Sequence, residues 1–235
     1  MNQEHAMDRM YGLQRHLYDA TRKYYLLGRD QLLAQMDLLP GDRVLEIACG
    51  TARNLIRLNK IHPNLELFGL DASNVMLKTA QRNLSRHGLD KKCSLRVCLA
   101  EELDYRTTFA LNRPFDAIFI SYGLSMIPTW KEALAVALRN LKPGGTLYIV
   151  DFWDQGGLPI WFRAMLQKWL DAFGVHFRPE LLVHLRELSQ SVPGTLNLQS
   201  VARRYAYIAS FTLPALPSLL NVAIPESQLT SSLDA

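Results

Sequence analysis

The chain has 235 residues, enough for one well-cored domain with a small appendage, and its composition is that of an ordinary globular protein. That excludes collagen-like, disordered and disulfide-dense classes. A net charge of +4 and a pI near 9.0 are mildly basic, a balance that suits an anionic partner such as a membrane surface and equally a plain solvated surface.

Three cysteines, Cys49, Cys93 and Cys98, show neither C-x-x-C spacing nor a His-rich neighbour. They therefore argue against a disulfide frame or a zinc site and for a reducing compartment. The opening MNQEHAMDRMYG lacks the basic-then-apolar order of a secretion signal. No run approaches the roughly 18 apolar residues that span a bilayer. The expectation is a cytoplasmic chain, able to lie on a membrane face, with no metal and no nucleic-acid partner.

From 7 to 39 the pattern is helical, with Gly28 as a break and Leu39, Pro40 and Gly41 as the stop. Strands and helices then alternate. A strand over 43–48 leads to a helix over 52–61, and a strand over 65–70 follows. Ser73 caps a helix that Gly88 stops. A third strand covers 93–99, with a weak helix near 101–109. The run F-D-A-I-F-I-S-Y, 115–122, reads as a strand buried on both faces. A helix over 130–141 closes on K-P-G-G, and a fifth strand covers 146–152. Helices over 158–173 and 179–190 and two antiparallel strands over 196–201 and 205–212 complete the pattern.

The predicted class is α/β: a Rossmann-like, seven-stranded, mostly parallel sheet with an antiparallel final strand, helices on both faces and an N-terminal helical cap. Three parts are expected, namely the cap (1–40), the sheet domain (41–213) and an irregular tail (214–235).

V-L-E-I-A-C-G-T-A-R-N-L runs from the first strand into a turn that reads as a cofactor loop. Ligands of open α/β sheets sit beyond the carboxyl ends of the strands. Only Gly50 is present, while Ala48 and Ala52 stand where such loops usually carry glycine. Glu46 lies near the end of the first strand, Asp71 ends the second, and Glu101 with Glu102 follows the third. Each acid alone reads as a solvated strand end. At three successive strand ends they would repel a pyrophosphate and attract a ligand carrying an ammonium and a sulfonium, with Asp71 accepting two ribose hydroxyls.

These motifs, with G-L-D-A-S, A-E-E-L-D, F-D-A-I-F-I-S-Y and L-K-P-G-G-T-L-Y-I-V, resemble those of class I S-adenosylmethionine-dependent methyltransferases over 43–152. The resemblance implies S-adenosyl-L-methionine as cofactor. Glu46, Ala48, Gly50 and Thr51 would then hold its methionine end and Asp71 the ribose. Ala72 and Met76 would lie beside the ribose, Ala100 and Glu101 would flank the adenine, and Ser121 would complete the set. M-Y-G-L-Q-R-H-L-Y-D-A-T-R-K-Y-Y-L-L-G-R-D, with Y-G-L-S-M-I-P-T-W and L-P-I-W-F-R-A-M-L-Q-K-W-L, resembles bacterial lipid N-methyltransferases. The likeness is greatest to those that make a betaine lipid from diacylglyceryl-homoserine.

Tyr11, Tyr18 and Tyr25 recur at helical spacing, which serves packing and pocket alike. The resemblance brings in the pocket, with Tyr18 and Tyr25 around the amine, since aromatic faces hold a quaternary ammonium. Tyr122 is the expected proton acceptor, and Arg29 and Ser125 the substrate contacts. The stripe Leu158, Trp161, Phe162, Met165, Leu166, Trp169, Leu170, Phe173 is amphipathic, suited to a core or to a bilayer surface. Rival readings are phosphatidylethanolamine N-methylation, quinone C-methylation and a non-catalytic binding module. A nicotinamide dehydrogenase is disfavoured by the glycine pattern and the acids.

Overall fold

A computed structural model describes residues 26–171 and 178–215. The first described helix, α1 (Arg29–Gln35), starts at Gly28, whose φ of 82° makes the predicted break. Then come β1 (Arg43–Ile47), α2 (Arg53–Ile61), β2 (Glu66–Asp71), α3 (Asn74–Arg86) and β3 (Cys93–Val97). The expected weak helix is two pieces, a 3-10 turn (Ala100–Glu102) and α4 (Tyr105–Phe109), because Asp104 caps α4 through the amides of Arg106 and Thr107. The chain continues through β4 (Phe115–Ser121), α5 (Trp130–Arg139), β5 (Leu141–Phe152), α6 (Ile160–Asp171), α7 (Glu180–Ser191), β6 (Thr195–Val201) and β7 (Ala206–Thr212).

The seven strands form one sheet in the order β3-β2-β1-β4-β5-β7-β6. β1 to β5 are parallel, and β7 runs antiparallel to both β5 and β6. The Rossmann-like expectation holds. β5 begins five residues earlier than the sequence pattern indicates: Leu141 pairs with Phe115, the ladder is interrupted at K-P-G-G, and it resumes at Thr146 opposite Ala117. Gly145 fits this bulge because a Cβ there would stand 2.9 Å from the Lys142 carbonyl and 3.0 Å from that of Asp116. The predicted Tyr18 and Tyr25, the Tyr11 before them and the tail after 215 lie outside the described residues.

Alternation decides the faces. Val44, Leu67, Ala117, Phe119 and Val150 pack beneath α1, α2 and α3, whereas Leu45, Phe68, Ile118, Ile120 and Ile149 pack beneath α4, α5 and α7. Every residue of β4 is buried, as a central parallel strand covered on both faces must be. Among the described residues no helix is long and apolar enough to cross a membrane. All five parallel strands end at one edge, and the site is built there.

Candidate active site

The turn after β1 carries three residues in the left-handed region: Ala48 at φ 57°, Gly50 at 53° and Ala52 at 62°. The alanines adopt the backbone that glycine would favour, at a steric cost. Asp71 locks the turn, its carboxylate accepting from the Gly50 amide at 2.8 Å and from the Ser73 amide at 2.9 Å. Ser73 in turn accepts from the Met76 amide and caps α3.

Glu46, 1 % exposed, accepts from Asn54 Nδ2 at 2.7 Å. Arg53 donates to Asn54 Oδ1 and pairs with Asp30 at 2.8 Å, which ties α2 to α1. Arg29 is also buried, its Nε donating to the Leu26 carbonyl. These elements surround a cavity of about 400 Å³ lined by Leu26, Arg29, Glu46, Ala48, Cys49, Gly50, Thr51, Arg53, Asn54, Asn83 and Ser121. Its size falls within the roughly 300–1,000 Å³ of small-molecule sites. Ser121 Oγ is buried there with no hydrogen-bond partner among the described residues, so a ligand atom would satisfy it. Burial, then the charges of Asp71 and Glu46, push the Cys49 thiol well up, so it stands as a neutral wall.

Of the residues read from the sequence, Arg29, Glu46, Ala48, Gly50, Thr51 and Ser121 meet at this cavity. Asp71 lies beneath Gly50, and ribose hydroxyls would share its carboxylate with two amides. Ala72 precedes the Ser73 cap and Met76 lies in the first turn of α3, while Ala100 and Glu101 form the turn after β3, along the same edge but outside the cavity lining. The Ser125 amide donates to Asp151 Oδ2 at 3.1 Å, away from the lining.

Tyr122, the expected proton acceptor, is buried at φ 56°, and its hydroxyl donates to the Leu27 carbonyl at 2.5 Å. That bond holds the segment carrying Leu26 and Arg29 over the cavity. Leu26, Cys49, Arg53, Asn54 and Asn83 are the lining residues the sequence reading missed. The signal for Arg53 and Asn54 was a polar pair in the first turn of an amphipathic helix, directly after the glycine turn.

A buried carboxylate beside two arginines and an unsatisfied hydroxyl fit a small polar ligand that carries both charges. A family model described as "Methyltransferase domain" matches residues 38–198. The chain belongs to this methyltransferase family. Demethylmenaquinone methyltransferase of Listeria monocytogenes is 28% identical over 185 residues, covering 75% of this chain and 74% of that protein. Its counterpart in Bacillus cytotoxicus is 32% identical over 124 residues, 52% of this chain and 50% of that one.

Among solved structures, phosphoethanolamine N-methyltransferase 2 of Haemonchus contortus, in complex with S-adenosyl-L-methionine, has a TM-score of 0.67 at 14% identity. The match covers 92% of this chain and 60% of that one. The [4+2]-cyclase SpnF reaches 0.68 at 17% identity, covering 89% of this chain and 96% of that one. The fold thus hosts more than one chemistry. The methyltransferase described here uses S-adenosyl-L-methionine.

Proposed function

We propose that this methyltransferase acts on the amine of a lipid head group, converting diacylglyceryl-homoserine to its trimethylated betaine lipid. The observation that supports this most directly is the position of L-L-G-R-D (26–30), the end of the N-terminal stretch that resembles lipid N-methyltransferases. Leu26 and Arg29 of that stretch form one wall of the cavity.

The bound cofactor supplies a methyl group on a sulfonium, an electrophile that needs no metal. Glu46 and Asp71 give the edge its negative charge, and Ser121 supplies an unsatisfied hydroxyl in the same lining. Positioning is the main task, and orientation alone is worth roughly 7–11 kcal/mol. The acceptor amine must be neutral to attack. A site walled by Leu26 and the neutral Cys49 thiol lowers an amine's pKa by withholding solvent from its charged form. Arg29, in the same lining, would meet a carboxylate, either the cofactor's or that of homoserine.

Quinone C-methylation is the second reading, favoured by the names of the curated relatives. The test presents diacylglyceryl-homoserine, phosphatidylethanolamine and a demethylated menaquinone in mixed micelles, with products read by mass spectrometry. Stepwise methylation of the homoserine lipid is expected. Methyl transfer to the quinone with both amines untouched would replace the first reading by the second.

A further inference from the structure

The outer face of α6 has no role in the site described above. Ile160 is 86% exposed, Trp161 70% and Met165 56%. At 3.6 residues per turn these side chains fall within an arc of roughly 140°, with Leu166 on the opposite side. Leu166 is buried, and with Leu158 it packs into the core cluster that contains Leu26, Tyr122 and Phe152. The helix is therefore seated by its inner side beside the cofactor cavity while its outer side offers large apolar groups to solvent. Scattered exposed apolar residues are ordinary, but three sharing one face of one helix mark an interaction surface.

Charge indicates the partner. Arg163 and Lys168 of α6 are exposed. The turn between β6 and β7 lies at the same sheet edge and exposes Arg203 and Arg204. It packs against the loop before α6: Arg204 pairs with Asp154 and lies over the Trp153 ring, and a Cβ at Gly157 would stand 2.5 Å from the Arg203 carbonyl. Apolar groups beside cations, at the edge where the cavity opens, match an anionic bilayer surface: the apolar arc enters the acyl boundary and the cations meet the head groups.

We propose that the Ile160–Trp161–Met165 face of α6, with the cations around it, docks the enzyme on an anionic lipid bilayer and presents the cavity to acceptors dissolved there. The proposal rests on the acceptor being a lipid, whether a homoserine lipid or a quinone. A second copy of this chain is the competing occupant.

The experiment uses the full chain and vesicles that contain no acceptor, of phosphatidylcholine alone or with phosphatidylglycerol. Wild type should float with the anionic vesicles and lose most binding in high salt or on neutral ones. The Trp161→Asp/Met165→Asp variant, changed only at exposed positions, should partition at least tenfold less. It should keep wild-type turnover of a short-chain, water-soluble acceptor and lose turnover of the same head group in vesicles. Wild type and variant floating alike, neither floating, or a wild-type dimer that the variant converts to monomer would each overturn the proposal. Flotation is read without catalysis. Vesicle binding without methylation of any lipid amine would therefore sink the substrate reading and leave this surface intact.

Discussion

Ala48 and Ala52 hold φ of 57° and 62° within five residues of each other. An L-residue with a Cβ loses roughly 1–2 kcal/mol in this region relative to the right-handed one, and glycine escapes that cost. The two positions differ in what their methyls do. Ala52 is fully buried in the core beneath α1, so its methyl contributes packing that glycine would lose. Ala48 lines the cavity and faces Gly123, where an added Cβ would stand 3.0 Å from the Ala48 methyl and 2.9 Å from Ile120. Ala48→Gly is therefore expected to stabilise the protein by about 1 kcal/mol, visible as a higher urea midpoint with unchanged slope. Ala52→Gly should be near neutral. A midpoint for Ala48→Gly at or below wild type would mean that the backbone is not strained there.

The connection from β4 to α5 is held by β5. Asp151, 2 % exposed, accepts from the Ser125 amide and from its own neighbour Phe152 at 2.8 Å. Burial outweighs those donors and pushes its carboxyl up to about 6. Between roughly pH 4 and 6 the folded chain thus keeps a proton that the unfolded chain has released. Stability must then fall as pH rises through that window and level off above it.

Asp151→Asn removes the titrating group. The stability of wild type relative to this variant should therefore drop by up to about 3 kcal/mol between pH 4 and 7, measured by denaturant titration at each pH. A difference independent of pH would show that Asp151 ionises as it does in the unfolded chain. None of this was legible in T-L-Y-I-V-D-F, because a strand-end aspartate reads the same whether buried or wet. The strand–helix alternation, the β6–β7 pair and the Gly28 break were legible, since period-two runs and turn residues report local backbone. The early start of β5 was not, because it depends on Phe115 pairing with Leu141 across the sheet. At the site, Glu46, Gly50 and Arg29 were found from strand-end position and motif. Asn54 was missed because only its contact with Glu46 gives an amide in the first turn of a helix its meaning.

At the scale of the whole molecule, the cavity joins parts that are distant along the chain. The segment with Leu26 and Arg29, the turn after β1, the first turn of α2, Asn83 of α3 and Ser121 of β4 all line it. A ligand seated there binds only when all five are in place, so its binding energy adds to the stability of the fold. At a concentration one hundred times its dissociation constant that gain is about 2.7 kcal/mol, or roughly 5–10 °C in Tm for a chain of this size. S-adenosyl-L-methionine should produce such a shift in the wild-type protein. Glu46→Gln keeps an amide oxygen for Asn54 but removes the buried charge. If the acidic edge is what attracts the cationic methyl donor, the variant should fold and yet show little shift at the same ligand concentration. A full shift in Glu46→Gln would show that the charge of this edge is not what holds the donor, and would move that task to Ser121 and the other lining groups.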